Sequence, residues 1–143
     1  MSKTANRLLL LDTHVWVWLM NGEDLLKSSP CLPLIEQAVK HSHIRVSAIS
    51  VWEVGMLEAK GRLRFPISCS DWVKKALAAP GIGFVPLSPE IAIESSRLPG
   101  DFHGDPADRI LIATARKLKA TLITQDKSIL AYGKEKCVDV FST

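Results

Sequence analysis

Four carboxylates in this chain stand where a charge is costly to bury. Asp12 directly follows four consecutive leucines, and Asp126 stands just past Thr121-Leu122-Ile123-Thr124, so each closes a short apolar run of strand type. Glu53 is the only charge between Ser50 and Leu57, and Met56 and Leu57 lie on its own helix face. Asp108 shares a face with Leu111, Ile112 and Ala115. A carboxylate on a core-facing surface needs a partner, because bare burial costs several kcal/mol or forces protonation. Two chemistries supply one. A carboxylate can cap a helix by accepting backbone N–H groups, and Ser50-Val51-Trp52-Glu53 fits a capping box, while Asp105-Pro106-Ala107-Asp108 places acids at N-cap and N3. Alternatively, acids gathered at one sheet edge raise one another's pKa until a divalent cation relieves them. Hard oxygen donors with few histidines suit Mg2+ or Mn2+, not zinc.

The elements that must position these acids alternate. Strand-type runs fall at Arg7–Leu11, Ile44–Val46, Ile82–Leu87, Thr121–Thr124 and Val138–Phe141. Between them lie helical segments at Thr13–Met20 (stopped by Asn21-Gly22), Pro33–Lys40, Ser50–Lys60 and Ser70–Ala79. Ser88-Pro89-Glu90 opens another helix running to about Leu98. Leu98–Gly104 is a loop, Asp105 starts a helix ending near Lys119, and Lys127–Ala131 makes a helical turn. Strands separated by helices imply parallel pairing, hence an α/β fold with about five strands sandwiched by helices. In a parallel sheet the carboxyl ends share one edge, where ligands bind, so Asp12 and Asp126 are expected there.

At 143 residues the chain suits a single domain spanning 1–143, long enough to build its own core. With 47% hydrophobic and 23% charged residues it is neither a disordered tail nor a coiled coil. Cys31, Cys69 and Cys137 are odd in number and far apart, which argues against a disulfide framework or thiolate zinc and for a cytoplasmic setting. The apolar run after Lys3 and Arg7 is broken by Asp12 and is too short for a bilayer, so neither a signal peptide nor a membrane span is expected. A net charge of +3 is too mild to diagnose a nucleic-acid partner. With the four acids set aside, however, 18 cations face 11 anions, a balance of +7 that suits a polyanion.

The strand-ending LLLLDTH, the SAISVWE segment, the GDPADRILIATA helix start and the LITQD strand end, in that order over residues 8 to 126, resemble a PIN domain. More closely, they resemble the VapC-type toxins of bacterial toxin–antitoxin pairs. The resemblance implies a PIN-like fold and a metal-dependent endoribonuclease whose acidic constellation falls on Asp12, Glu53, Asp108 and Asp126. It adds Asp105 from the motif spanning His103 to Arg109. Two partners are also implied: a second copy of the chain, and an antitoxin whose C-terminal segment reaches the acidic site.

Phosphodiester hydrolysis needs a deprotonated water in line with the leaving oxygen and neutralisation of the charge growing on phosphorus. Bound magnesium, as one ion or a pair about 3.5–4 Å apart, does both. Thr13, Ser47 and Thr124 are candidate donors that would hold the carboxylates. Lys60, Arg62, Arg64, Arg109 and His103 are candidate substrate contacts. His14 could line the mouth of the site. The segment His14–Met20 is apolar nearly all round, which marks Trp16 as a candidate partner contact, and the face carrying Trp52 is the alternative anchor for an apolar stretch of the antitoxin. Competing readings are a haloacid-dehalogenase-like phosphatase, which wants an acid where His14 stands, a phosphorylatable receiver module, which does not require Glu53, and a PIN-fold regulatory protein that binds without cleaving.

Overall fold

The computed structural model describes residues 7–135 and 137–143. Its elements run β1 (Leu9–Leu11), α1 (Thr13–Asn21), α2 (Asp24–Lys27), α3 (Leu32–Lys40), β2 (Ile44–Ser47), α4 (Ala48–Ala59), α5 (Cys69–Ala78) and β3 (Ile82–Val85). They continue with α6 (Pro89–Ser95), α7 (Pro106–Leu118), β4 (Thr121–Thr124), α8 (Lys127–Gly133) and β5 (Asp139–Ser142). The five strands pair in parallel in the order β3-β2-β1-β4-β5. The expected α/β architecture is therefore the observed one, with α2 as an additional helix of four residues. No helix among the described residues is long and apolar enough to cross a membrane.

Strand alternation divides the core in two. Leu9, Leu11 and Ile123 pack on one face with Trp16, Val46, Val54 and Trp72, while Leu10 and Leu122 pack on the other with Leu111, Ile112, Ile129 and Tyr132. Both faces of β1 are thus sealed, as its unbroken leucine run requires. The chain leaves β1 toward β2 and β3 on one side, then returns to β4 and β5 on the other. The direction of winding reverses between β1 and β4, so the crevice of the fold opens at their adjoining carboxyl ends. Leu11 is level with Ile123 across this pair, and Asp12 N–H donates to Ile123 O at 3.0 Å.

Two expectations change. Trp16 is fully buried, with an edge-on contact to Trp72 at 5.1 Å between ring centroids. The apolar circumference of α1 is explained by cover on several sides, from the sheet, α2 and α4, and Trp16 offers nothing to a partner. The helix carrying Glu53 begins at Ala48, with Ser47 as N-cap. Glu53 therefore sits well inside α4 and belongs to no capping box. The Asn21-Gly22 stop holds: Gly22 takes φ 65°, a left-handed cap that glycine adopts without strain.

Candidate functional site

Asp12, Glu53, Asp105, Asp108 and Asp126 converge on one cleft of about 340 Å³, completed by His14, Val15 and Gln125. No lysine or arginine is among these lining residues. The five acids arrive from four parts of the fold. Asp12 ends β1 and Asp126 follows β4; Glu53 comes from the interior of α4, and Asp105 and Asp108 from the N-terminus of α7.

Asp12 is the most firmly held. Its Oδ1 accepts from Thr13 N–H at 2.7 Å and its Oδ2 from Thr124 Oγ1 at 2.6 Å. Thr124 Oγ1 in turn accepts from Asp126 N–H at 3.0 Å, so one hydroxyl ties the ends of β1 and β4 together. Glu53 Oε1 accepts from Thr13 Oγ1 at 2.6 Å. Because that hydroxyl has one proton, Ser50 Oγ, 2.9 Å away and fully buried, must supply the donor of the second bond. The sequence offered Ser50 only as the cap of a helix with Glu53; its place three residues before Glu53, on the same helix face, was the available signal for this role.

Capping and convergence coexist. Asp12, Asp105 and Asp126 are the N-caps of α1, α7 and α8, Asp105 accepting from Asp108 N–H at 2.8 Å and Asp126 from Ile129 N–H at 3.0 Å. Glu53 and Asp108 cap nothing. The positive ends of three helices therefore face a cleft of carboxylates and temper their mutual repulsion.

That repulsion remains. Burial is the largest cause raising the Asp12 carboxyl, opposed by its bonds from Thr124 and Thr13. Burial also raises Glu53, with Asp12 and Asp105 adding to it. Asp108 is pushed up to about 7, first by burial and then by Asp105, Asp126, Asp12 and Glu53. A cleft of five acids without a basic side chain calls for a cation. Among the described residues no three carboxylate, histidine or cysteine side chains form a ready ion cage.

Of the expected supporting residues, Thr13 and Thr124 hold carboxylates, but Ser47 Oγ accepts from Ile49 N–H and serves α4 alone. Arg109 does not reach toward the cleft as a free phosphate contact. Its Nε donates to Ser95 O at 2.8 Å and its guanidinium NH₂ to Phe102 O at 2.7 Å. His103 is exposed, 3.5 Å from Asp101, and does not line the cleft. Lys60, Arg62 and Arg64 are exposed beyond the far end of α4; Lys60 lies seven residues past Glu53, about 10 Å along the helix axis. Trp52 is 58% exposed and borders an apolar groove of about 380 Å³ with Ile49, Met56, Pro106 and Ala107. That groove shares Glu53 and Asp105 with the acidic cleft.

A family model described as the PIN domain matches residues 9–135. Ribonuclease VapC22 of Mycobacterium tuberculosis is 30% identical over 134 residues, a match covering 93% of this chain and 98% of that protein. In fold, the chain is similar to VapBC2 of Rickettsia felis, solved bound to a promoter DNA fragment (TM-score 0.66, 15% identity, 94% and 98% of the two chains). It is likewise similar to DNA-bound VapBC of Salmonella typhimurium (TM-score 0.67, 11% identity, 95% and 98%). FitAcB of Neisseria gonorrhoeae shares the fold at a TM-score of 0.58 and 19% identity, over 94% and 96%. With its acids at the β1–β4 crevice and this match along nearly its whole length, the chain is a member of the PIN-domain family, in its VapC branch.

Proposed function

We propose that this protein is a magnesium-dependent endoribonuclease acting as the toxin of a toxin–antitoxin pair. The observation that carries the reading is the cleft lined by five acids and no lysine or arginine. Asp12, Glu53, Asp108 and Asp126 would hold the ion, with Mn2+ an alternative to Mg2+. The bound ion supplies an activated water and neutralises charge on the phosphate. Thr13 and Thr124 keep Glu53 and Asp12 aimed into the cleft, and Asp105 starts the helix that carries Asp108. Lys60, Arg62 and Arg64 lie far enough from Glu53 to hold phosphates of a strand leaving the cleft. The test is release of fragments from single-stranded RNA by the purified protein in 5 mM Mg2+, and its absence in EDTA. Failure to cut RNA while hydrolysing a small phosphate ester would favour the phosphatase; failure at both would leave a binding protein.

The same reading assigns the antitoxin's C-terminal segment to the cleft and the adjoining groove. An apolar side chain would cover Trp52, and an arginine would face Glu53, Asp105 and Asp12. The ion and the arginine then compete. At constant ionic strength, raising Mg2+ tenfold should weaken inhibition by several-fold, and an antitoxin peptide lacking the arginine should lose that dependence. Inhibition indifferent to Mg2+ would instead assign it to apolar cover of the groove alone. A second copy of the chain belongs to the same reading; Phe84, Leu87 and Ile93 are exposed apolar side chains outside both cleft and groove for it to cover.

A further inference from the structure

Arg109 follows Asp108 directly and lies half-buried on the first turns of α7. A cation there has three possible uses: contacting a substrate phosphate, pairing with the acids beside it, or holding backbone. It forms no ion pair among the described residues. Its donors go instead to two carbonyls seven residues apart, Ser95 O at the end of α6 and Phe102 O within the connection between α6 and α7. Ser95 O is one of the last carbonyls of α6, which the helix itself leaves without a partner.

The same connection is fixed at a third point. Tyr132 Oη donates to Pro99 O, and the buried Phe102 ring stands 5.2 Å from the Tyr132 ring. Gly104 lies against Phe102 so closely that a Cβ would meet the ring at 2.2 Å and Asp108 Cβ at 3.2 Å. A connection of this length would otherwise be mobile. Here it ends at Asp105, the cap of α7 and a wall of the cleft.

We propose that Arg109 is a positioning residue: it clamps the α6–α7 connection so that Asp105 and Asp108 stand opposite Asp12 and Glu53. It is not a phosphate contact. This inference rests on the proposed metal-dependent cleavage, but its test does not rely on cleavage alone. Arg109→Ala, Arg109→Lys and Gly104→Ala are compared with wild type in Mn2+ binding, followed by electron paramagnetic resonance, and in kcat, KM and RNA affinity in EDTA. Hydrogen exchange over residues 96–108 is followed alongside. Arg109→Ala should weaken Mn2+ binding about tenfold and lower kcat by 10- to 100-fold, since small misplacements at a reacting centre have effects of that order. RNA affinity in EDTA and its salt dependence should stay within twofold, and exchange over the connection should quicken. Arg109→Lys, whose single ammonium can reach one carbonyl, should recover part of both losses. Gly104→Ala should reproduce them with no change of charge, and it serves if Arg109→Ala does not fold.

A loss of RNA affinity with a salt slope smaller by about one, and unchanged Mn2+ binding, would make Arg109 a phosphate contact and overturn the proposal. A lower melting temperature with wild-type Mn2+ binding and kcat would overturn it in favour of a purely structural role. If wild type itself neither binds Mn2+ nor cuts RNA, the functional reading fails and the inference with it.

Discussion

Asp12→Asn should lower magnesium-dependent RNA cleavage at least 10³-fold, about 4 kcal/mol of transition-state stabilisation, while leaving the protein folded. The geometry explains why the two effects separate. The amide oxygen can still accept from Thr13 N–H, so α1 keeps its cap. The amide nitrogen can face Thr124 Oγ1, whose hydroxyl rotates from donor to acceptor. What is lost is a charge held between two fixed hydrogen bonds at the end of a rigid strand, and an amide is a poor magnesium ligand. Burial already holds the Asp12 carboxyl above its ordinary value, so a neutral group there should not destabilise the metal-free protein. Cleavage by the purified variant at the wild-type rate would remove Asp12 from the metal site, and a variant that does not fold would mean that the fold itself needs the carboxylate, since an amide still caps α1.

The second large effect concerns stability, and its sign runs against the usual behaviour of an acid. Asp108 keeps its proton up to about pH 7 in the native state, whereas the ordinary carboxyl loses it near 3.8. Between those values the native protein binds more protons than the unfolded chain, so stability falls as pH rises and the loss is complete above about 7. The full shift would correspond to about 4 kcal/mol, but the carboxylate is about half exposed and solvent screening leaves about 1–2 kcal/mol. Denaturant unfolding in EDTA should therefore show wild type losing stability from pH 5 to pH 8 and Asp108→Asn losing much less. Magnesium should reverse the ranking at pH 7.5. At a hundred times its dissociation constant a ligand adds about 2.7 kcal/mol to the native state, and Asp108→Asn should forfeit most of that gain. Asp105→Ala provides the contrast: it removes both a cap worth about 0.5–2 kcal/mol and the charge that most raises Asp108, so in EDTA the two effects oppose one another and the net change should be smaller than the loss of a simple cap. Identical pH profiles for wild type and Asp108→Asn would mean that the acids do not crowd one another as their placement implies.

Much of this was legible from local pattern. Four leucines before Asp12 and four buried residues ahead of Gln125-Asp126 are strands because both faces must be covered, and residue type alone says so. Asn21-Gly22 ends α1 and Asp105-Pro106 begins α7 for reasons confined to one turn of chain: a left-handed glycine, a capping carboxylate, a proline that needs no N–H donor. That acids at strand ends and at a helix start could meet at one edge followed from the parallel pairing that alternating strands and helices impose.

Strand order is a different kind of property. That β1 lies between β2 and β4, making Asp12 and Thr124 neighbours across 112 positions of sequence, depends on the direction in which each crossover turns, and no local propensity encodes it. The same limit explains the misplaced side chains. Trp16 and Trp52 both sit in apolar helical segments, yet Trp16 is covered by elements that arrive later in the chain and Trp52 is not. Ser47 and Ser50 differ only in where α4 begins relative to β2, a boundary set by pairing with β3 as far as Ser47. Arg109 reads as a surface cation until the α6–α7 connection folds back within reach of its guanidinium. The sequence by itself determined which elements form and which carboxylates end them, because those outcomes rest on interactions a few residues apart. Only the tertiary structure decided which faces stay open and which donors meet which acids, because those depend on contacts between segments tens of residues apart.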